Sequence, residues 1–474
     1  MQMREEPLAL LPEICLLAGA VACLLLGSFL PRRRQWIARL VAAGALLGTA
    51  TTAAVALAGE PRVVFESTYA VDVPTAAARL IIAAATLLAL ALGTDEIAGT
   101  ARESETYALL LLTALGATVL AGTSDLLILA TGYLLASIPL YALVGIARSS
   151  MAAEAAMKTY LLGALLGITL LLGATVLYGL SGETTYAALA ANLQSAPPAA
   201  VAVGAVAVLA GLLFKAGGVP GHFWVPDAAQ GATVSAAAFV TTVPKVGALV
   251  AAYRLLDAVP ATVDWSLLVG VLAAASMTLG NLAAFAQSDP RRLLGWSTVS
   301  QVGYLLLPVA VAGRSDLAVP SMLVYLAGYA VTNLTAFAVV AALPERRDLA
   351  SYRGLAASRP WLAGALLVSL LSLVGTPPTA VFVGKLTTFT AAWDGGSAWL
   401  VIVAALNSVA SLFYYLRWIA PAYRSQAGST TEDALPPTTR PWATRAAVIG
   451  AVAVICLGLA SGVAWDAFTG PLIR

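Results

Sequence analysis

Three lysines stand in stretches whose chemistry suits the movement of protons through a membrane. Lys215, Lys245 and Lys385 each lie in an apolar segment beside a glycine or proline break, in the runs LLFKAGGVPGH, TTVPKVGAL and GTPPTAVFVGK. A charge at the centre of a membrane helix costs on the order of 2.5–3.5 kcal/mol, so such a residue usually faces a bundle interior or a water path. A buried lysine can lose its proton, whereas an arginine cannot. These lysines are therefore candidate proton carriers.

Further ionisable residues extend the set of candidates. Lys158 follows Glu154 by four residues, which is an ion-pair spacing on a helix. Glu105 begins an apolar segment, and Asp125 stands where a helix would start. His222, the only histidine, lies in the first break and could titrate near neutral pH. Each also has a structural interpretation, as a static pair, a first-turn acid, a helix cap or a packed ring.

Polar residues on two later apolar segments could hydrogen-bond water along a proton path. The alternative is that they join neighbouring helices without taking part in transfer. These residues are Ser297, Ser300, Gln301, Tyr304 and Asn333.

The elements that position these side chains are membrane helices. Hydrophobic residues make up 60% of the chain, charged residues 11%, and the mean hydropathy is +0.88, outside the soluble range. A net charge of +2 argues against a nucleic-acid partner. The cysteines lie singly in apolar runs, so neither a metal site nor a disulfide framework is predicted.

Hydropathy predicts an all-α polytopic membrane protein with about fourteen transmembrane helices, of which the seventh, eighth and twelfth are interrupted by glycine or proline. The loops after odd-numbered spans hold about fifteen arginines, against about five on the opposite side. The positive-inside rule then places both termini outside, as an even number of spans requires.

The breaks beside Lys215 and Lys385 lie five spans apart, on the seventh and twelfth spans. Because five is odd, the two copies would cross the membrane in opposite directions. This is the inverted-repeat pattern of transporters, whose sites form at broken helices.

Several motifs resemble those of a known family. They are SETYALLLLTALGATVLAGTSDLL, SIPLYALVG, EAAMKTYLLGAL, LLFKAGGVPGHFWVPD, MTLGNLAAFAQSDPRRLLGWSTVSQVGYLL and SLVGTPPTAVFVGK. In this order they are similar to the antiporter-like subunits of respiratory complex I, subunit N of bacterial NADH-quinone oxidoreductase above all, within the Mrp antiporter superfamily. The resemblance implies two inverted five-helix repeats with broken helices 7 and 12. Residues 1–104 would form helices 1–3, 105–256 the first repeat, 264–424 the second and 440–474 helix 14.

The resemblance also implies a function. The chain would be a proton-translocating subunit in a bacterial inner membrane, with lysines on helices seven, eight, twelve and six matching Lys215, Lys245, Lys385 and Lys158. It would contact the lipid bilayer and other membrane subunits and hold no cofactor of its own. NADH, FMN, iron–sulfur clusters and quinone would belong to partner subunits.

Two positions depart from the family pattern. Leu134 stands where the family has a helix-five glutamate that pairs with the helix-seven lysine, and Gln301 replaces a common histidine. Two alternative functions follow. One is a subunit of an Mrp-type cation/proton antiporter or of a membrane-bound hydrogenase. The other is a structural subunit that has lost pumping.

Overall fold

A computed structural model describes residues 6–260, 264–424 and 440–473, and these ranges are almost entirely helical. Three helices come first, with short 3-10 turns at Pro7–Leu10 and Arg32–Arg34. They are α1 (Leu11–Phe29), α2 (Trp36–Leu57) and α3 (Val73–Ile97).

The middle of the chain contributes eight helices, with a 3-10 turn at Leu193–Ser195. They are α4 (Glu103–Gly122), α5 (Leu126–Gly145), α6 (Ser150–Ser181), α7 (Tyr186–Asn192), α8 (Pro198–Ala216), α9 (Trp224–Gly231), α10 (Val234–Val240) and α11 (Val243–Ala258).

The remaining part contributes nine more, with a 3-10 turn at Ala350–Tyr352. They are α12 (Trp265–Phe285), α13 (Pro290–Ala310), α14 (Ala318–Ala342), α15 (Leu355–Ser358), α16 (Pro360–Val374), α17 (Ala380–Asp394), α18 (Ala398–Tyr423), α19 (Pro441–Leu459) and α20 (Ser461–Phe468).

The predicted polytopic fold is confirmed. Thirteen helical segments of the described chain are long and apolar enough to cross a membrane, and the shorter α16 continues through a break into α17 as the twelfth span. The seventh span divides into α8 and α9, and the eighth into α10 and α11. All three predicted interruptions are therefore present.

One element differs from the all-helical prediction. A small antiparallel hairpin, β1 (Arg62–Val64) and β2 (Tyr69–Val71), joins the second and third spans. Its turn residues Phe65, Glu66 and Ser67 have positive φ, a conformation that sequence patterns signal mainly through glycine or asparagine. Hydropathy did not reveal it because a segment of a few residues is too short to register in a span-length window.

The two breaks beside the predicted proton carriers have the same backbone construction. α8 ends at Gly217 and α16 ends at Gly375, with φ of 83° and 94° respectively. In each, the residue after the glycine donates its amide back to the helix, from Gly218 to Leu213 and from Thr376 to Leu371. This is the glycine helix stop in the left-handed region. Each break also contains a cis X–Pro bond, at Pro220 and at Pro378.

Helix α3 contacts the starts of two later helices through two carboxylates. Near its C terminus, Asp95 accepts the amides of Trp442 and Ala443 at the start of α19, and Glu96 accepts those of Val234 and Ser235 at the start of α10. These carboxylates satisfy amides that a helix start leaves unpaired and oppose the positive end of its dipole. The third span therefore fixes where the eighth and fourteenth spans begin.

Candidate functional site

Lys215 lies in the last turn of α8, immediately before the break, and only 1% of it is exposed. Its Nζ donates to Ser137 Oγ of α5 at 2.5 Å, and that hydroxyl donates to the Tyr133 carbonyl. The hydroxyl proton is thus directed away from the ammonium group, which faces the oxygen lone pairs. The rings of Tyr133 and Tyr141 lie 5.1 and 5.9 Å from Nζ. The surroundings of the charge are a hydroxyl and aromatic faces.

Lys385 lies on the opposite side of its break, in α17, and is also buried. Its Nζ donates back across the break to the carbonyls of Val374 at 2.9 Å and Leu373 at 3.2 Å, which end α16. It also donates to Ser408 on α18, at 3.2 Å. The Tyr304 ring centroid is 4.0 Å from Nζ, well within cation–π range. The free carbonyls of a helix C terminus favour a cation at this position.

Lys245 lies one turn into α11, next to the interruption in the eighth span, and is 1% exposed. Its Nζ donates to the Tyr329 hydroxyl of α14 at 3.3 Å. That hydroxyl also contacts the Thr241 carbonyl and Thr298 Oγ1, each at 3.0 Å. The carbonyl belongs to the residues that separate α10 from α11. All three buried lysines therefore lie at a helix interruption.

None of these three lysines forms an ion pair with any residue that the structure describes. Their partners are hydroxyl groups, carbonyl dipoles and aromatic faces, which stabilise a charge less than a carboxylate would. A static buried lysine is normally paired. An unpaired one in such surroundings is suited to exchange its proton rather than hold it permanently.

Two hydrogen-bonded pairs of side chains lie between Lys245 and Lys385. From Lys245 the contacts pass to Tyr329 and Thr298, which bond each other between α14 and α13. One turn along the same two helices, Tyr325 donates to Gln301 at 2.5 Å. Gln301 in turn donates to the Leu373 carbonyl at 2.8 Å, the same oxygen that accepts from Lys385. We call the pairs Thr298–Tyr329 and Gln301–Tyr325 the α13–α14 ladder.

The ladder occupies one face of each helix. Its rungs are separated by three residues on α13 and four on α14, which is about 4.5–6 Å of helix rise. The structure thus places Gln301, predicted as a water-path residue, between the two lysines, where it shares the Leu373 carbonyl with Lys385. Tyr325, Tyr329 and Thr298 are the other members, and the periodic spacing of polar residues on these spans was the sequence signal for them.

The other predicted polar residues are buried around the ladder. Tyr304 accepts from Ser408, a partner of Lys385. Asn333 donates to Thr241 and Thr242 beside Lys245. The remaining two bond other helices, with Ser297 contacting Tyr415 and Ser300 contacting Asn281.

Lys158 does not join this interior group. It is 47% exposed on α6, where it pairs with Glu154 at 2.7 Å and with Asp227 at 2.9 Å. Asp227 also pairs with Arg292 at 2.6 Å. The predicted spacing pair is therefore present, but it belongs to a surface network that connects α6, α9 and α13.

The predicted acidic candidates and the histidine lie apart from the three lysines. Glu105 is exposed at the start of α4. Asp125 caps α5 by accepting the amides of Leu127 and Ile128, which is the structural role foreseen for it. His222 is buried in the first break beside Phe223, with its Nδ1 unpartnered within the described residues.

Leu134 does not point into the Lys215 pocket. It is 43% exposed on the outer face of α5, whereas Tyr133 and Ser137, which are one turn apart, face the lysine. In this chain Ser137 is the residue of α5 that contacts the ammonium group.

Sequence reasoning missed two buried ion pairs. Arg79 on α3 pairs with Glu13 on α1 at 2.7 Å, and Arg254 on α11 pairs with Asp72 at the start of α3 at 2.5 Å. Both arginines lie within predicted spans. Their position inside apolar runs was the available signal, but pairing across 66 and 182 residues leaves no local pattern.

Comparison with known proteins places this geometry in context. Residues 123–411 match the family described as NADH:quinone oxidoreductase/Mrp antiporter, TM. A Mycobacterium sp. (strain JLS) protein named NADH-quinone oxidoreductase subunit N is 57% identical over 464 residues, covering 98% of each chain. A Streptomyces griseus protein named NADH-quinone oxidoreductase subunit N 1 is 53% identical over 469 residues, again with 98% of each chain covered.

Solved structures show the same architecture. A chain of respiratory complex I from Thermus thermophilus with bound aureothin matches with a TM-score of 0.81 and 32% identity, covering 97% of this chain and 99% of that one. A chain of the Mrp complex from Dietzia sp. DQ12-45-1b matches with a TM-score of 0.86 and 23% identity, covering 99% and 97%. The second likeness concerns the fold alone.

Proposed function

Since the chain belongs to the NADH:quinone oxidoreductase/Mrp antiporter family, with subunit N proteins among its relatives, we propose that it moves protons through Lys215, Lys245 and Lys385. It is an antiporter-like, multi-pass membrane subunit of a complex I-type respiratory enzyme. The observation that carries the proposed route is the α13–α14 ladder: its first pair bonds Lys245 through Tyr329, and its second pair shares the Leu373 carbonyl with Lys385.

The chemistry of the ladder fits proton transfer. Hydroxyl groups both donate and accept, so Tyr329 and Thr298 can pass a proton by reversing the hydrogen bond between them. Water would carry the proton from that pair to the Gln301–Tyr325 pair and on to Lys385, because Gln301 and Lys385 both donate to the Leu373 carbonyl. Gln301 holds the second rung in place, because its amide donates to Leu373 while its carbonyl accepts from Tyr325. A proton leaving Lys385 weakens the bonds across the twelfth-span break, and a proton leaving Lys245 weakens its bond to Tyr329. Each lysine is thereby coupled to a helix interruption.

Lys215 would be the carrier on the other side of Lys245. Its helix α8 packs directly against α11, which holds Lys245. Transfer between these two lysines requires water or side-chain movement, because their hydrogen-bond partners differ. A charge arriving at one lysine would displace the proton of the next by like-charge repulsion.

Placement in the membrane follows from the arginine asymmetry. The arginine-rich end would face the cytoplasm, with both termini outside. Residues 105–256 and 264–424 would be the inverted repeats, supported by the shared construction of the breaks at Gly217 and Gly375. Residues 1–104 and 440–474 would flank them. Labelling of Arg353→Cys and Arg314→Cys by a membrane-impermeant maleimide in inside-out vesicles tests the orientation, and only the first should react.

Redox chemistry would reside elsewhere in the assembly. NADH, FMN, iron–sulfur clusters and quinone would be held by partner subunits, and this chain would contact other membrane subunits and lipid. The 57% identity to a protein named as a complex I subunit favours this assignment over an Mrp-type antiporter or a hydrogenase-type subunit.

The decisive experiment replaces Lys215 and Lys385 in the reconstituted complex and compares proton pumping with NADH oxidation. Lys215→Ala and Lys385→Ala should lower the number of protons pumped per NADH. Lys385→Arg should do the same, because arginine keeps the charge but cannot release a proton. Arg353→Lys, an exposed change at the arginine-rich end, is the matched control and should leave pumping unchanged.

The same variants separate the competing functions. Unchanged stoichiometry in all three lysine variants would mean that the subunit is structural. Full pumping by Lys385→Arg alone would mean that the residue supplies a fixed charge and not a mobile proton.

A further inference from the structure

A cavity of about 450 Å³ lies at the arginine-rich end of the molecule. Loops that follow odd-numbered spans meet here, so all its polar walls come from the same side of the bundle. Four arginines line it: Arg291 at the start of α13, Arg346 and Arg347 after α14, and Arg440 at the start of α19. The cavity is therefore strongly cationic.

The two carboxylates that line the cavity are already engaged by helix starts. Glu96 accepts the amides of Val234 and Ser235 at 3.0 and 2.9 Å. Asp289 accepts the amides of Arg291 and of the next residue, at 2.8 and 3.0 Å. Their charge offsets the positive ends of α10 and α13.

The four guanidinium groups have no carboxylate partner in the part of the chain that the structure describes. Arg291 donates to the carbonyls of Ala229 and Ala232, and Arg440 donates to that of Ala341. Nη1 of Arg346 is buried and has no hydrogen-bond partner among the described residues. Partial burial also lowers the pKa of Arg346 from its ordinary value. An anion here would offset the charge of these guanidinium groups.

The rim of the cavity shows what kind of anion fits. Met151, at the start of α6, lines it and is 50% exposed. The same helix has exposed apolar side chains further along, including Leu161 and Leu165. The site is thus cationic on one side, and beyond the exposed Glu154–Lys158 pair at its rim α6 presents an apolar surface on the other. This sequence of charged and apolar surface matches an amphiphile better than a small soluble ion.

We propose that this cavity binds the phosphate group of an anionic phospholipid. Guanidinium groups pair with phosphate oxygens through two parallel hydrogen bonds. Basic pockets between membrane helices at the cytoplasmic surface are suited to acidic headgroups. Arg346 and Arg440 would clamp the phosphate, while the acyl chains lie along α6. The bound lipid would fasten the loop after α14 to the start of α19.

The test measures lipid retained by the assembled complex after purification in mild detergent. The wild-type complex and the Arg346→Gln/Arg440→Gln variant are compared by native mass spectrometry and by total phospholipid phosphorus. The variant should retain about one anionic phospholipid fewer per complex. Arg353→Gln, an exposed change at the same end outside the cavity, is the control and should retain the wild-type number. An unchanged count in the double variant would overturn the proposal.

Two further arms keep the result interpretable. Arg346→Lys/Arg440→Lys preserves the charge and should restore most of the lost lipid, even if the glutamine variant assembles poorly. Delipidated complex is also titrated with phosphatidylglycerol and, separately, with inorganic phosphate. Saturable binding of phosphatidylglycerol that inorganic phosphate does not displace supports the lipid. Tight binding of inorganic phosphate that excludes phosphatidylglycerol would assign the cavity to a soluble anion and overturn the lipid assignment.

Discussion

Lys385 donates to the carbonyl oxygen of Val374 at 2.9 Å, across the break in the twelfth span. The lysine thereby satisfies a carbonyl that the end of α16 leaves free. Lys215 has a different relation to its own break, because it precedes Gly217 and reaches sideways to Ser137 on α5. The two breaks share a backbone construction, yet one carries its lysine before the interruption and the other after it.

The glycine that forms the twelfth-span break should tolerate no side chain. Gly375→Ala would force alanine into φ of 94°, and its Cβ would lie 2.9 Å from Lys385 Cδ. Backbone strain of this type costs about 1–3 kcal/mol, and the lysine would also be displaced. Proton pumping per NADH should fall several-fold, measured in proteoliposomes. Gly364→Ala on the same span meets no atom within 4 Å and should leave pumping intact; equal behaviour of the two variants would contradict the account.

The α13–α14 ladder should depend on its hydroxyl groups. Tyr329→Phe keeps the ring but removes the oxygen that links Lys245 to Thr298. We expect normal assembly and about tenfold slower proton pumping, measured by a pH-sensitive dye in proteoliposomes. Tyr253→Phe, whose hydroxyl accepts the Gly313 amide at 3.5 Å and lies outside the ladder, is the control. Wild-type pumping by a Tyr325→Phe/Tyr329→Phe double variant would show that protons take another route.

The hydroxyl beside Lys215 should matter more than an ordinary buried serine. Ser137→Ala removes the hydrogen-bond acceptor of the ammonium group, and hydrogen bonds to charged groups contribute about 1.5–3 kcal/mol. Pumping should slow by about tenfold or more while NADH oxidation with an uncoupler persists. Ser369→Ala provides the comparison, since among the described residues that buried hydroxyl bonds the Leu366 carbonyl of its own helix alone. A similar small effect for both serines would remove Ser137 from the route.

The buried pair between Asp72 and Arg254 should stabilise the junction between the start of the third span and the end of the eighth. Asp72→Asn keeps the helix cap that Thr75 uses but leaves Arg254 without its carboxylate. Loss of one partner of a buried pair costs about 3–5 kcal/mol, so the thermal transition of the purified complex should fall clearly. Asp264→Asn makes the same change in an exposed pair with Arg314 at 3.6 Å, where the cost is about 0–1 kcal/mol. Equal shifts would refute the distinction.

The spans and their interruptions could be predicted because hydropathy and glycine–proline chemistry are local properties. Lys215, Lys245 and Lys385 were recognised as buried for the same reason: their neighbours in sequence are apolar. The hairpin of β1 and β2 was not predicted, since it is too short for a hydropathy signal.

Partners of the charges could not be predicted, because pairing depends on the three-dimensional fold. Glu105, Asp125 and Glu154 precede Lys215 in its repeat, near the starts of α4, α5 and α6. In the structure Glu105 is exposed, Asp125 caps α5 and Glu154 pairs with Lys158. Lys158 was a candidate proton carrier with a static pair to Glu154 as the alternative, and the structure shows it half-exposed in pairs with Glu154 and Asp227. Helical periodicity did not separate inner from outer faces there because the outer face is as apolar as the inner one.

The carboxylates at the end of α3 bind helix starts that are synthesised much later in the chain. Asp95 receives the amide of Trp442, which is synthesised 347 residues later. At translation rates of about 5–20 residues per second, that carboxylate remains without this partner for roughly 20–70 s. Glu96 accepts the amide of Val234, which is synthesised 138 residues later. Glu96 therefore gains its hydrogen-bond partner before Asp95 does. The third span is therefore synthesised well before α10 and α19, whose starts its carboxylates bind. Asp95 and Glu96 can bind these helix starts only after the later helices have been made.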